Sequence, residues 1–440
     1  MPQVESILLP RWVIPVSSPG VALEGHAVVV DEGRIVAVAP RAEVEAAFQA
    51  RQTISLDRHA LIPGLINIHT HAAMSLLRGI ADDLPLMEWL EGHIWPAEGK
   101  HVSREFVSSG TRLACAEMLR GGTTTFNDMY FFSDCVAEVA EEIGMRASVG
   151  LIVLDFPTAW AQNAAEYLSR GIEIHDRFRN SPLIRTALAP HAPYTVSDDP
   201  LRKVVAYAHE LDIPIHMHIH ETAFEVEQAA AQSGERPLAR LDRLGLLGPE
   251  MIAVHMTQLS DEEIELCARR NLHVAHCPES NLKLASGFCP VAKLAAAGVN
   301  LALGTDGAAS NNDLDMLGEM HIAALLAKGV AGDARALPAA SALEMATLGG
   351  ARALGLQAQI GSIEQGKAAD LTAIDLGPVE TQPVYDPIAQ IVYSAGREQV
   401  TDVWVAGRRL LNNRKLTSVD ESAVLQDAAE WQARIATAAE

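Results

Sequence analysis

Among the five cysteines (Cys115, Cys135, Cys267, Cys277 and Cys289) no Cys-x-x-Cys pair occurs, and their number is odd. That pattern excludes a disulfide framework and fits a reduced, cytoplasmic chain. No apolar run approaches the roughly 18 residues of a membrane span, so none is expected. The opening Met-Pro-Gln-Val-Glu has neither a basic nor an apolar stretch, and no signal peptide is read from it. Basic residues are scarce: 34 Lys and Arg stand against 56 Asp and Glu, for a net charge of −22. Nucleic acid and anionic membrane both reward clustered cations and are therefore excluded as partners. Solubility is the plainest account of the acidity. Low-complexity segments are also absent.

What is present is a core-forming chain, 49% hydrophobic and 20% charged. Its 440 residues can build one large domain with a small one, or a single enlarged barrel. Residues 1–59 read as strands and turns (Glu5–Ile14, His26–Val30, Arg34–Val38, with Asp31-Glu32-Gly33 as a hairpin turn) before a helix over Arg41–Ala50. From residue 60 the rhythm becomes strand then helix. Strands are expected at Leu61–Ile68, Thr123–Asn127, Ala147–Leu154, Ile184–Ala189, Pro214–Glu221, Ile252–His255, His273–Cys277 and Asn300–Gly304. Helices are expected between them, and again over 313–328 and 338–353. Eight such units predict a (β/α)8 TIM-type barrel over 60–360. An open doubly wound sheet would want a Gly-rich phosphate loop after its first strand, where this chain has His-Thr-His. Strands return at Ala369–Ile374, Ile388–Tyr393 and Val400–Val405, and a helix closes the chain over 421–438. Residues 1–59 and 361–440 are therefore expected to form one small β-sandwich domain from both termini.

An apolar run leads into His69 and His71, which share one side of a strand because side chains alternate. Satisfied core histidines would explain one such pair. However, nine of the sixteen histidines fall on or at the end of a predicted strand: His69, His71, His191, His216, His218, His220, His255, His273 and His276. Barrel enzymes place their chemistry at the C-terminal ends of the strands, where strand eight also ends on Asp306. Imidazoles with a carboxylate and no thiolate suit Zn²⁺ and tolerate Fe²⁺ or Mn²⁺. Glu221, beside the strand-five histidines, is the natural proton carrier for a metal-activated water. A solvated Glu at a helix start is the plainer alternative. Spacing does not choose among His216, His218 and His220, which share one strand face.

The motifs Pro63-Gly-Leu-Ile-Asn-Ile-His-Thr-His71, Leu77-Arg-Gly-Ile-Ala-Asp-Asp83, Glu88-Trp-Leu90, His218-Ile-His-Glu221, Ser280-Asn-Leu-Lys-Leu284 and Leu303-Gly-Thr-Asp-Gly-Ala-Ala-Ser-Asn-Asn312 make the chain resemble the amidohydrolase superfamily. Within it, the chain is similar to the methylthioadenosine/S-adenosylhomocysteine deaminases over nearly its whole length. The resemblance implies one divalent metal per subunit, most simply Zn²⁺, bound by His69, His71, His218 and Asp306. Some members bridge two metals through a carboxylated lysine on strand four. This sequence has no lysine between Lys100 and Lys203. The implied reaction is hydrolytic deamination at C6 of an adenine ring. Glu221 would carry a proton from the attacking water to ring N1. His255 and Asp306 would orient that water, and Asp306 would pass a proton to the departing ammonia.

Substrate contacts are expected in the loops. By family position, Glu98 would accept hydrogen bonds from the ribose hydroxyls and His191 would contact the ribose. Trp89 would wall the ring or the 5′ substituent, or else anchor its own helix. Ser310 would support the metal loop. The strand-three loop, Leu151-Ile-Val-Leu-Asp-Phe-Pro-Thr-Ala-Trp160, offers no arginine to an amino-acid tail before Arg170. Phe156, Pro157 and Trp160 would instead form an apolar wall suited to a methylthio group. Methylthioadenosine is therefore preferred over S-adenosylhomocysteine and adenosine. The rivals are a guanine or other base deaminase, a triazine-type chlorohydrolase and, more remotely, a barrel that has lost catalysis and serves as a scaffold. A small-molecule nucleoside is the expected partner, and a homo-oligomer the expected assembly.

Overall fold

The computed structural model of the chain describes residues 1–436. Its central element is a sheet of eight strands in sequence order: β1 (Leu65–Thr70), β2 (Thr123–Tyr130), β3 (Arg146–Val153), β4 (Ile184–Pro190), β5 (Ile215–Ile219), β6 (Met251–His255), β7 (His273–His276) and β8 (Asn300–Leu303). The pairings from β3 to β4 and from β4 through to β8 are parallel. Nearly every strand residue is buried, as strands covered on both faces require. The sheet curls into the expected barrel. Past the end of β8, the Asp306 amide donates to the His69 carbonyl at 3.0 Å, which joins the last strand's extension to the first strand. Gly304 makes that approach possible, since a Cβ there would lie 2.8 Å from the His69 backbone nitrogen.

Helices follow the strands and carry apolar stripes toward them. Ser133–Ile143 buries Cys135, Val136, Val139, Ala140 and Ile143, at i, i+1, i+4, i+5 and i+8. Asp261–Arg270 opens with a full capping box between Ser260 and Glu263.

A second sheet has nine strands and draws on both ends of the chain. Its order is Lys415–Leu416, Arg408–Asn412, Val400–Val405, Leu371–Asp375, Gln49–Pro63, Gln3–Val13, His26–Asp31 and Arg34–Pro40, with Leu23–Glu24 paired beside Gln3–Val13. The Ile35 amide donates to the Lys367 carbonyl, so the sheet's far edge comes back to the C-terminal segment. One buried cluster then joins Leu8, Val28 and Leu56 to Leu371 and Trp404. The chain folds as two compact units. One takes Met1–Asn67, Ala116–Thr125 and Asp315–Asp420; the other takes Ile68–Cys115, Phe126–Leu314 and the described residues from Glu421 on.

Three local expectations are corrected. The run expected as one strand over Leu61–Ile68 is two, Gln49–Pro63 and Leu65–Thr70. Gly64 separates them: its amide bonds Asp370 O in one sheet and the next amide bonds Gly122 O, and a Cβ on Gly64 would fall 2.1 Å from the Thr124 hydroxyl. The helix at Arg41 stops at Ala47, because Gln49 onward pairs in parallel with Gln3–Val13. Ile388–Tyr393, expected as a strand, lies in the helix Pro387–Tyr393. Asp386 caps that helix by accepting from Ile388 and Ala389, and Pro387 at its first position is preset for it. The closing helix spans Glu421–Ala436, and the two further residues expected in it lie outside the described residues.

Gly304→Ala should force β8 away from His69. Overpacking of this kind costs about 1–3 kcal/mol, so a lowered melting temperature is expected; an unchanged one would show that the two strand ends do not need this contact.

Candidate metal centre

The strand ends converge on one buried cluster. His69 Nε2 and His71 Nε2 each lie 3.2 Å from Asp306 Oδ1. His218 Nε2, from β5, lies 3.2 Å from His69 Nε2. The ligand atoms of His69, His71 and Asp306 lie within 4.8 Å of one another, as do those of His69, His218 and His255. His255 also faces Glu221, with Nε2 to Oε2 at 3.7 Å. The geometry thus separates the three strand-five histidines that alternation alone left equivalent. His218 enters the cluster. His216 sits behind it, its Nε2 2.9 Å from His69 Nδ1. His220 follows the strand in a left-handed conformation (φ +54°), and its Nε2 accepts from the Leu238 amide at 3.2 Å.

The atoms behind the rings set their tautomers. His71 Nδ1 donates to Met129 O at 2.5 Å and His218 Nδ1 donates to His191 O at 2.8 Å. A carbonyl only accepts, so each Nδ1 carries a proton and each Nε2 is the atom turned toward the cluster. His255 Nδ1 is placed the same way against Asn281 Oδ1 at 2.9 Å. Asp306 Oδ2 accepts from the Ser280 hydroxyl at 2.7 Å and Oδ1 from the Gly307 amide at 2.8 Å. Asp128 anchors the end of β1, accepting from the Ala72 amide at 2.7 Å and the Thr70 hydroxyl at 3.0 Å.

The charges ask for a cation. Burial pushes Asp306 upward, yet its hydrogen bonds with His69 and His71 win and hold it well below the usual carboxylate range. Burial opposes a charge on His71, but the Asp306 carboxylate outweighs it and lifts the imidazole to about 9. Burial prevails at His69, pushed down to about 4, and at His191, pushed down to about 3. The protein alone therefore satisfies one buried carboxylate by protonating one imidazole. A divalent ion would supply that charge in place of the His71 proton and take the Nε2 atoms as donors, so the donor set fits a divalent metal. Glu221 and Glu98 are both pushed upward by burial, Glu98 to about 6.

Above the cluster is a cavity of about 510 Å³. His71, His218, Glu221, His255, Asp306, His191, Glu98, Trp89 and Ser310 all line it, with His69 fully buried beneath. Glu98 Oε1 accepts from Tyr130 OH at 2.6 Å. Trp89 is buried and also lines the cavity. Ser310 donates to Gly307 O at 3.1 Å, within the loop that carries Asp306. Phe156 and Pro157 line the cavity, but Trp160 does not. It packs against Phe132 with ring centroids 5.0 Å apart, under the Arg170 guanidinium. Sequence reasoning gave no role to Asn281 or Ser280, although their motif stood out, and none to Tyr130 or Asp128, which sit in an ordinary strand pattern.

Comparison with known proteins agrees with this architecture. The amidohydrolase family model matches residues 60–410. A 5-methylthioadenosine/S-adenosylhomocysteine deaminase of Saccharophagus degradans is 49% identical over 98% of this chain and 96% of its own length. One from Teredinibacter turnerae is 48% identical over 96% of each. Among solved structures, an adenosine deaminase from Xanthomonas campestris with bound zinc superposes with a TM-score of 0.98 at 56% identity, covering 99% of both chains. The atrazine chlorohydrolase of Arthrobacter aurescens, with zinc, shares the fold at a TM-score of 0.89 and 23% identity, covering 97% of this chain and 100% of its own. Among the described residues no helix is long and apolar enough to cross a membrane.

Partners behind metal-ligating histidines are worth about 10–100-fold in metal affinity. His216→Phe should weaken metal binding by that factor in competition with a chromophoric chelator. Unchanged affinity would mean that His69 needs no support from His216.

Proposed function

The chain belongs to the amidohydrolase family, and on that premise we propose that it deaminates adenosine-type nucleosides at C6, giving the inosine analogue and ammonia. The observation that carries this reading is Glu98. Its half-buried carboxylate opens onto the cavity that holds the metal-type cluster, with one oxygen already fixed by Tyr130. An apolar cavity with one such carboxylate suits a ligand that is flat and apolar at one end and bears hydroxyls at the other. The relatives named as nucleoside deaminases support the same substrate class.

His69, His71, His218 and Asp306 would hold one Zn²⁺, with His255 beside it. When bound, the ion supplies the Lewis acidity that makes water nucleophilic near neutral pH. Glu221 takes a proton from the attacking water and passes it to ring N1; its raised pKa suits a group that must both accept and release a proton. His255, fixed by Asn281, orients the water. Asp306, oriented by Ser280, carries a proton to the departing ammonia. His191, neutral, offers a hydrogen bond to the ribose, and Trp89 walls the base.

At the 5′ end of the nucleoside the cavity offers Ile152, Leu154, Phe156 and Pro157, and among the described residues no arginine or lysine lines it. Arg170, the next cation along, pairs with Glu166 at 2.7 Å. A methylthio group matches this wall, whereas a zwitterionic amino-acid tail would meet no partner. Methylthioadenosine is thus the preferred substrate.

Zinc-loaded protein should release ammonia from methylthioadenosine faster than from S-adenosylhomocysteine or adenosine, and not from adenine or guanine; release from a free base alone would overturn the assignment. Glu221→Gln should keep its metal and lose about 10²–10⁴-fold in kcat, the usual contribution of a proton carrier. Retained turnover would remove Glu221 from the reaction. Protonating Glu98 turns one of its oxygens into a donor and removes the charge that strengthens its bonds from ribose hydroxyls. KM for the nucleoside should therefore rise as pH falls through about 6, and Glu98→Gln should flatten that rise. A KM independent of pH in the wild type would place the ribose elsewhere.

A further inference from the structure

The way the chain leaves β5 points to a residue with no assigned role. Ile219 ends the strand, and His220 turns left-handed at φ +54°. That turn takes the buried amides of His220 and Glu221 out of the strand ladder, where they need other acceptors. Both find the Glu225 side chain. His220 N donates to Oε1 at 3.1 Å and Glu221 N to Oε2 at 2.8 Å. Glu225 is the third residue of the helix Ala223–Ser233, whose first turn is capped by Thr222 accepting from the Glu225 amide. In an ordinary capping box the carboxylate returns to the amide of the capping residue itself. Here it reaches past Thr222 to the two residues before it.

Thr257 holds the same turn from β6. Its amide donates to His220 O at 3.0 Å and its hydroxyl to Glu221 O at 2.7 Å. The Glu221 backbone is therefore fixed at its nitrogen by Glu225 and at its oxygen by Thr257, while its side chain faces His255. Bonds to an ionised carboxylate are stronger and more directional than neutral ones. Burying a carboxylate is also costly unless its oxygens are bonded, and the two amides meet that need.

We propose that Glu225 is a positioning residue that aims Glu221 at the reacting atoms. The proposal rests on the reading of Glu221 as proton carrier. Glu225→Gln keeps the shape of the side chain but leaves only one good acceptor, so one of the two amides loses its bond. A misplacement of about 1 Å at a reacting group can cost about 10²-fold. The variant should lose about 10- to 100-fold in kcat for nucleoside deamination, with KM and bound metal unchanged. Ser260→Ala, which removes a cap of similar chemistry from another helix, serves as the control. It should lower the melting temperature and leave kcat alone.

If Glu225→Gln behaves like Ser260→Ala, with kcat per bound metal unchanged, Glu225 is merely a helix cap and the proposal fails. If Glu225→Gln does not fold, Glu225→Asp takes its place; it keeps the charge but is one methylene too short to hold both amides. Hydrogen–deuterium exchange of the peptide 216–225 in the wild type and the variant gives a readout independent of turnover. Faster exchange at residues 220 and 221 supports the clamp, and unchanged exchange overturns it. Should the wild type release no ammonia, the deaminase reading falls while the exchange result still decides the clamp.

Discussion

The barrel mouth is organised around a carboxylate that cannot be left alone. Asp306 is buried at the end of β8, with one oxygen 3.2 Å from each of His69 and His71. An isolated ionised carboxylate in such a place would be prohibitively costly, so it either takes a proton or finds a positive partner. Here the imidazoles keep it ionised, and His71 is lifted to about 9 as the provisional partner. His71 and His218, each with a proton on Nδ1, turn their Nε2 atoms toward the same point. The protein has arranged lone pairs and one negative charge without supplying the cation. A divalent ion resolves both conditions at once.

Holding that arrangement strains the backbone. His220, His255 and Asp306, at the ends of β5, β6 and β8, all have positive φ without being glycine. Such residues cost on the order of 1–3 kcal/mol each and persist only where their surroundings fix them. The surroundings do so here. The Asp306 amide bonds His69 O, Glu225 and Thr257 grip the turn after His220, and the His255 ring is tied to Asn281. A strand continued in ordinary β geometry would carry these side chains alternately up and down the ladder. The left-handed turns redirect them across the mouth.

Much of this was legible in the sequence. Alternation put His69 with His71, the strand–helix rhythm gave eight barrel strands, and their C-terminal ends collected the chemistry. What was not legible has physical causes. Period-2 alternation made His216, His218 and His220 equivalent, because a change of backbone handedness at His220 leaves no mark in hydrophobic pattern. The break at Gly64 was hidden because an apolar run continues through it while the chain passes from one sheet to another. Ile388–Tyr393 has β-branched and aromatic residues typical of strands, but Asp386-Pro387 is a helix start that outranks them. Trp160 was assigned to the cavity wall by loop position, and only the fold shows that it packs on Phe132. Ser280 and Asn281 meet Asp306 and His255 across 26 residues of chain, which no spacing within one segment encodes; Glu225 is local to His220 and Glu221, but its bonds depend on the left-handed turn between them.

The site divides into a floor and walls of different origin, and the division decides how far fold can speak for function. The floor is made by strand ends, whose positions follow from barrel closure. The walls come from chain between the elements, chiefly the excursion after β1 that carries Trp89 and Glu98, and the loop after β3 with Phe156 and Pro157. A chlorohydrolase 23% identical to this chain shares the fold at a TM-score of 0.89, so the scaffold by itself does not choose a substrate. The choice must rest on wall residues. Glu98 is the informative one: it is half-buried in the cavity wall, and Tyr130 engages one of its oxygens, leaving the other to a hydrogen-bond donor. The apolar residues of the loop after β3 work in the opposite sense, penalising any ligand that brings charge there without a partner. A hydrogen-bonding carboxylate on one wall and an apolar surface on another discriminate among ligands more narrowly than either the metal-type floor or the barrel could.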